Sequence, residues 1–400
     1  MSTSLDQPLF DTFNRVNLKF VSGKGPWLLT ENNERYLDFT SGIAVNAFGH
    51  AHPYLVNVLK RQAEKLWHVS NVFEIEEQTR LAERLCANSF AEKVFFANSG
   101  AEAIECAIKT ARRYHYCNQQ PERVEIITLD GAFHGRTLAT LAAGGQQKYL
   151  EGCGPKALGF TTVPFADLEA LKSAITNKTA ALLIEPIQGE GGVRIVPNKI
   201  MQAYRDICTQ TEILLVLDEV QTGFGRTGKL FAHEWSGVTP DILCAAKGIG
   251  AGFPLSACLA TRNAAHGMTA GIHGTTFGGN PLAMTVGNAV LDLILAPDFF
   301  SHVNKIAKQL KDGLEALVTR YFNVVSKVRG YGLLAGLQCV VPNKQVIDFA
   351  RGEKLLTVAA GSNVVRILPP LNIEEADLAN GLERLETALA KISKSQIGTH

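Results

Sequence analysis

Five short apolar runs constrain the fold of this chain more than anything else in it. They are KVFFAN (93–98), VEIITLD (124–130), TAALLIEPI (179–187), ILLVLDEV (213–220) and DILCAA (241–246). None alternates apolar with polar residues. A strand with one wet face alternates, whereas a strand covered on both faces does not. Between and before the runs lie helical patterns: EEQTRLAERL (76–85), AEAIECAIKTARRY (101–114), LEALKSAI (168–175) and KIMQAYRDI (199–207). Apolar runs interleaved with helices predict an α/β protein with a mostly parallel central sheet. The 400 residues suffice for about two to three ordinary domains.

The two ends of the chain read differently. Trp27–Thr30 and Arg35–Phe39 flank the turn-like Glu31-Asn32-Asn33-Glu34, which predicts a strand pair. Pro53 marks a helix start. After Pro281 a long helical stretch leads into a mixed region containing GLLAGLQCV and VVRILPP. The expected organisation is an N-terminal segment (1–55) joining a small α+β domain, a large domain (56–296), and the C-terminal part of the small domain (297–400).

Several functions are disfavoured. The net charge is +1, so no general field attracts nucleic acid or an anionic membrane. No apolar run is long enough to span a bilayer, and the start MSTSLDQPLF lacks the pattern of a secretory leader. The eight cysteines are scattered with no C-x-x-C pair, as expected of buried free thiols in a cytoplasmic protein. No His/Cys/carboxylate spacing resembles a metal ligand set, so no metal is expected. The His50-Ala51-His52 pair reads as loop surface or core packing.

Four features sit at the ends of the predicted strands, where open parallel sheets bind ligands. Asn98-Ser99-Gly100-Ala101-Glu102 joins a strand to a helix; free N–H groups there suit a phosphate, although an ordinary helix cap looks the same. Asp218 ends an apolar strand and needs a partner: a protonated ring nitrogen, a metal or an arginine. Lys247 follows another strand among alanines and glycines. Desolvation would lower its pKa and suit it to Schiff-base chemistry, unless it reaches solvent. The loop Gly131–Thr137 carries Phe133 and Arg136 between glycines.

In their order along the chain, NSGAEA, FHGRT, EPIQGEGG, LDEVQTGFGRTG, AAKGIGAGFPL and HGTTFGGNPLA resemble the class III, ornithine-type, pyridoxal-phosphate aminotransferases. The similarity covers nearly the whole chain. SGIAVNAFGHAHP and SNVFEIEEQTRLAERL look most like the acetylornithine branch. The resemblance implies a fold type I transferase, with pyridoxal 5'-phosphate joined to Lys247 as a Schiff base. Asp218 would pair with the ring nitrogen, Gln221 would contact the phenolic oxygen and Phe133 would stack on the ring. Ser99, Gly100 and Ala101 would hold the phosphate, with Glu219 and Val220 also beside the cofactor. Thr276 would reach the phosphate held by a second subunit, and Thr275 would lie near substrate, which requires a homodimer.

The implied reaction exchanges N2-acetyl-L-ornithine and 2-oxoglutarate for the semialdehyde and glutamate, a step of arginine biosynthesis. By resemblance, Arg366 takes the carboxylate beside the reacting carbon and Arg136 the distal one. Glu190 would neutralise Arg366 when the substrate has no carboxylate there. The alternatives are succinyldiaminopimelate, succinylornithine, ornithine or 4-aminobutyrate as donor, an aminomutase, or a non-catalytic binding protein. Ornithine enzymes of the family place a tyrosine where this chain has Val45-Asn46, which favours an acylated donor.

Overall fold

A computed structural model describes residues 8–397; residues 1–7, on which the leader reading rests, lie outside the described residues. Its centre is a seven-stranded sheet. Across the sheet the strands are Lys93–Ala97, Ser256–Ala260, Ile242–Ala245, Leu214–Asp218, Thr179–Ile184, Glu125–Leu129 and Phe160–Val163. Ser256–Ala260 runs antiparallel to both neighbours, and the other pairings are parallel. Neither Ser256–Ala260 nor Phe160–Val163 is among the strands read from the sequence. SACLA is short and made mostly of small residues, and FTTV is partly exposed.

The missing alternation is explained by burial. Every residue of Thr179–Ile184, Leu214–Asp218 and Ile242–Ala245 is buried. Helix Gly100–Cys117 covers one face, packing Ile104, Ala107 and Ala111 against Val216, Ile242 and Cys258. Helix Asn198–Gln210 covers the other, with Tyr204 and Cys208 against Leu215 and Leu217. Leu215→Ala in this close-packed layer would cost about 2–5 kcal/mol.

Strands from both chain ends meet in one further sheet. Phe20–Lys24, Trp27–Thr30 and Arg35–Asp38 form antiparallel pairs, and Leu355–Leu356 pairs parallel with Arg35–Asp38. A third sheet orders Val325–Tyr331, Leu334–Cys339, Val364–Ile367 and Val358–Ala360, all antiparallel. Helix Pro281–Ile294 starts with Pro281 after the Asn280 cap, whose Oδ1 accepts from the Ala283 N–H at 2.9 Å. Among the described residues no single helix is long and apolar enough to cross a membrane. All eight cysteines are free; five are buried, but Cys153 is exposed, so burial does not hold for every thiol.

Candidate active site

Strands 93–97, 125–129, 179–184, 214–218 and 242–245 all point the same way. Their carboxyl ends therefore deliver Ser99, Phe133, Glu185, Asp218 and Lys247 to one edge of the sheet.

Lys247 opens a short 3-10 turn directly after Ile242–Ala245. Its φ of +51° lies in the left-handed region, where a residue with a Cβ costs about 1–3 kcal/mol and is kept only where the surroundings impose it. Burial pulls its ammonium down to about 8. The charges of Glu190, Asp218 and Glu185 resist that shift and Arg366 adds to it, which places all four around the amine. An amine with a pKa near 8 is partly neutral at physiological pH and can attack a carbonyl.

Asp218 ends its strand almost fully buried. Its Oδ2 lies 2.8 Å from Nδ1 of the buried His134, and its Oδ1 accepts from the Val220 N–H at 3.0 Å. The partner is thus a histidine, which the sequence reading had not put beside Asp218. Burial alone would lower the His134 pKa, but the Asp218 hydrogen bond and charge, with Glu185, raise it overall. The Nε2 of His134 is buried without a hydrogen-bond partner among the described residues.

Glu185 was also missed. It is buried one residue beyond its strand; Oε1 accepts from the Phe133 N–H at 2.9 Å and Oε2 from the Gly189 N–H at 3.2 Å. It therefore ties the Phe133 loop to the Glu190 loop. Burial and the charge of Asp218 raise its carboxyl to about 7.

The Ser99 turn departs from expectation in its hydroxyl. Ser99 Oγ caps its own helix by accepting from the Glu102 N–H at 3.3 Å and donates to Glu102 Oε2 at 3.0 Å. The Gly100 and Ala101 N–H groups find no acceptor among the described residues, so backbone rather than hydroxyl offers the free donors. A Cβ on Gly100 would come 2.8 Å from Val220 Cγ1, so glycine is required by packing against Val220. The Glu219 carboxylate turns inward, accepting from Thr222 Oγ1 and the N–H groups of Ala232 and His233. Its side chain is thereby committed to the 219–233 segment instead of a ligand.

Arg366 lies on Val364–Ile367, an interior strand of the third sheet, and is 1 % exposed. Its Nη1 donates to Glu190 Oε1 at 2.6 Å and to Gln221 Oε1 at 3.2 Å, and its Nη2 donates to the Ala359 carbonyl at 3.0 Å. Gln221 thus touches Arg366. Its side chain also fills the space a Cβ on Gly189 would need. Arg366 Nε is buried without a hydrogen-bond partner among the described residues.

Arg136 is exposed, with its guanidinium carbon 3.9 Å from the Tyr149 ring centroid and 5.4 Å from that of Phe133. Thr275 Oγ1 lies 3.4 Å from Asn98 Nδ2, next to the Ser99 turn, while Thr276 is exposed. The Val45–Ala47 segment borders the Lys247 loop: Asn46 faces Gly252 and Ala47 faces Gly248.

A basic amine of lowered pKa, a buried carboxylate–imidazole pair, two unaccepted backbone donors and two arginines can bind a phosphorylated aldehyde and a dicarboxylate together. The Aminotransferase class-III family matches residues 12–389. An acetylornithine aminotransferase of Brucella melitensis is 61% identical over 386 residues, covering 96% of each chain. The crystal structure of N-acetylornithine aminotransferase from Stenotrophomonas maltophilia has a TM-score of 0.84 at 37% identity, covering 96% of this chain and 98% of that one. A PLP-bound amine transaminase from an uncultivated Pseudomonas species has a TM-score of 0.90 at 28% identity, covering 98% and 99%.

Proposed function

The chain belongs to the class-III aminotransferases, and we propose that Lys247, Asp218, Glu190, Arg366 and Arg136 carry out its reaction. That reaction converts N2-acetyl-L-ornithine and 2-oxoglutarate to N-acetyl-L-glutamate 5-semialdehyde and L-glutamate, in L-arginine biosynthesis. It depends on pyridoxal 5'-phosphate.

The residues present fit that cofactor. The unaccepted Gly100 and Ala101 N–H groups, at a helix start, suit its phosphate. Asp218, held by His134, suits a protonated ring nitrogen, and Phe133 suits the ring face. When bound, the cofactor supplies a carbonyl that condenses with amines and a ring that stabilises negative charge on the reacting carbon. Lys247 would hold the cofactor through Nζ, and its amine, lowered to about 8 by burial, would be the group placed to accept and return a proton at the reacting carbon. Asp218 would pair with the ring nitrogen and favour its protonated form. Gln221, bonded to Arg366, orients that guanidinium.

The observation that carries the substrate reading is the pair of Arg366, buried, with Glu190, partly exposed. Glutamate brings a carboxylate on its reacting carbon and acetylornithine does not. Arg366 receives the first substrate's carboxylate and Glu190 covers it for the second. Arg136 takes the distal carboxylate of both. Val45-Asn46 beside the Lys247 loop offers no tyrosine hydroxyl for the free α-amine of ornithine. A panel of amino donors with 2-oxoglutarate tests this: acetylornithine should have the highest kcat/KM, and a preference for ornithine or 4-aminobutyrate would overturn the assignment.

We also place the enzyme in the cytoplasm as a homodimer. Eight free thiols suit a reducing compartment. Exposed Trp67, Val72, Phe73 and Phe277 put apolar surface beside the exposed Thr276, which suits a loop that reaches into a second copy. Sedimentation of the purified protein at the mass of one chain would contradict the dimer.

A further inference from the structure

Arg136 makes no hydrogen bond or ion pair among the described residues, yet its guanidinium is not loose. It sits 3.9 Å from the Tyr149 ring centroid, close enough for the flat cation to lie on the ring face. Tyr149 meets Phe133 edge to face at 6.4 Å and 82°. The segment bearing Tyr149 is fastened to the same loop: Gln146 Nε2 donates to the Ala132 carbonyl at 2.7 Å. Ring and guanidinium are therefore held from both sides of the loop. A guanidinium gripped by its face keeps its in-plane N–H donors free, and those are the donors that meet a carboxylate two at a time.

We propose that Tyr149 is a positioning residue for substrate recognition: its ring holds the face of Arg136 so that the guanidinium edge receives the distal carboxylate of both substrates. This rests on the reading that Arg136 binds that carboxylate. In this proposal Tyr149 acts only through Arg136. Its contribution falls on binding in ground state and transition state alike, and so on KM more than kcat.

The test is steady-state kinetics of the holoenzyme with Tyr149→Leu, Tyr149→Met, Tyr149→Phe and Arg136→Ala. The donors are acetylornithine, glutamate and pentylamine, which has no carboxylate. Tyr149→Leu and Tyr149→Met should raise KM for acetylornithine and glutamate about tenfold with kcat within about twofold. Tyr149→Phe keeps the ring and should match the parent, and pentylamine turnover should be the same in all Tyr149 variants. If Arg136→Ala raises both KM values but neither aliphatic Tyr149 variant does, the proposal fails and the reading of Arg136 stands. If Arg136→Ala leaves both unchanged, that reading fails and the proposal with it. A Tyr149→Phe enzyme as impaired as Tyr149→Leu would also overturn it, since the hydroxyl and not the ring would be at work.

Discussion

Glu190 Oε1 lies 2.6 Å from Arg366 Nη1, and the two partners differ sharply in exposure: 29% for the carboxylate and 1% for the guanidinium. The buried partner is held by Gln221 and the Ala359 carbonyl, so it stays in place whichever substrate enters. The exposed partner can swing toward water when a substrate carboxylate takes its place on Arg366, so that the buried guanidinium is not left unneutralised. The asymmetry supports a fixed receptor with a removable cover.

Lys247→Ala should abolish turnover and leave the fold intact. Borohydride reduction of the parent holoenzyme followed by peptide mapping should find the cofactor on Lys247. Label on any other lysine would refute the assignment.

The buried amine also makes a stability prediction. Its folded-state pKa of about 8 lies below its ordinary 10.5, so the unfolded chain binds more protons across that window. Stability therefore rises with pH from about 8 to 10.5, and below 8 the cost of the buried ammonium is fully present. Lys247→Met should stabilise the cofactor-free protein at pH 7, by about 3 kcal/mol at most. The advantage should fade as pH rises from about 8 to 10.5 and be gone above that. Urea unfolding across this range measures it, and a pH-independent difference would contradict the burial argument.

Asp218→Asn should lower turnover by about three orders of magnitude, roughly 4 kcal/mol of barrier, while cofactor still binds. His134→Asn should cost less, about tenfold, since it removes the support of Asp218 but not the carboxylate. Absorbance titration with pyridoxal phosphate separates binding from turnover. Near-normal activity of Asp218→Asn would contradict its role.

Much of this is legible in the amino-acid sequence. Lys247 and Asp218 stand out as charges closing apolar strands, because burying a charge there demands a use. The central sheet was legible from runs that do not alternate. What the sequence hid is partnership across distance. His134 lies 84 positions from Asp218, and nothing local links an imidazole in a glycine loop to a carboxylate on another strand. Glu185 reads as the end of a strand until its bonds to Phe133 and Gly189 are seen. Tyr149 sits in a helix of four residues, too short for any periodic signal. Ser99 carried both meanings, cap and phosphate ligand. The structure uses its hydroxyl for the cap and leaves the neighbouring N–H groups free.

Arg366→Ala should impair the glutamate half-reaction more than the acetylornithine half-reaction, by about tenfold to a hundredfold, because only glutamate puts a carboxylate beside its reacting carbon. Arg136→Ala should impair both. Single-turnover rates with each amino donor check this, and a greater loss with acetylornithine for Arg366→Ala would reverse the assignment.

The central claim is that Glu190 covers Arg366 for one substrate and yields to the other. Single-turnover kinetics of Glu190→Gln on the two half-reactions test it most directly. Without its cover, Arg366 faces the uncharged carbon of acetylornithine with a buried, unneutralised charge, which typically costs about 3–5 kcal/mol and less where water enters. The account predicts that the acetylornithine half-reaction slows by about tenfold or more while the glutamate half-reaction holds or quickens. Equal losses in both half-reactions would contradict it, even if overall activity fell.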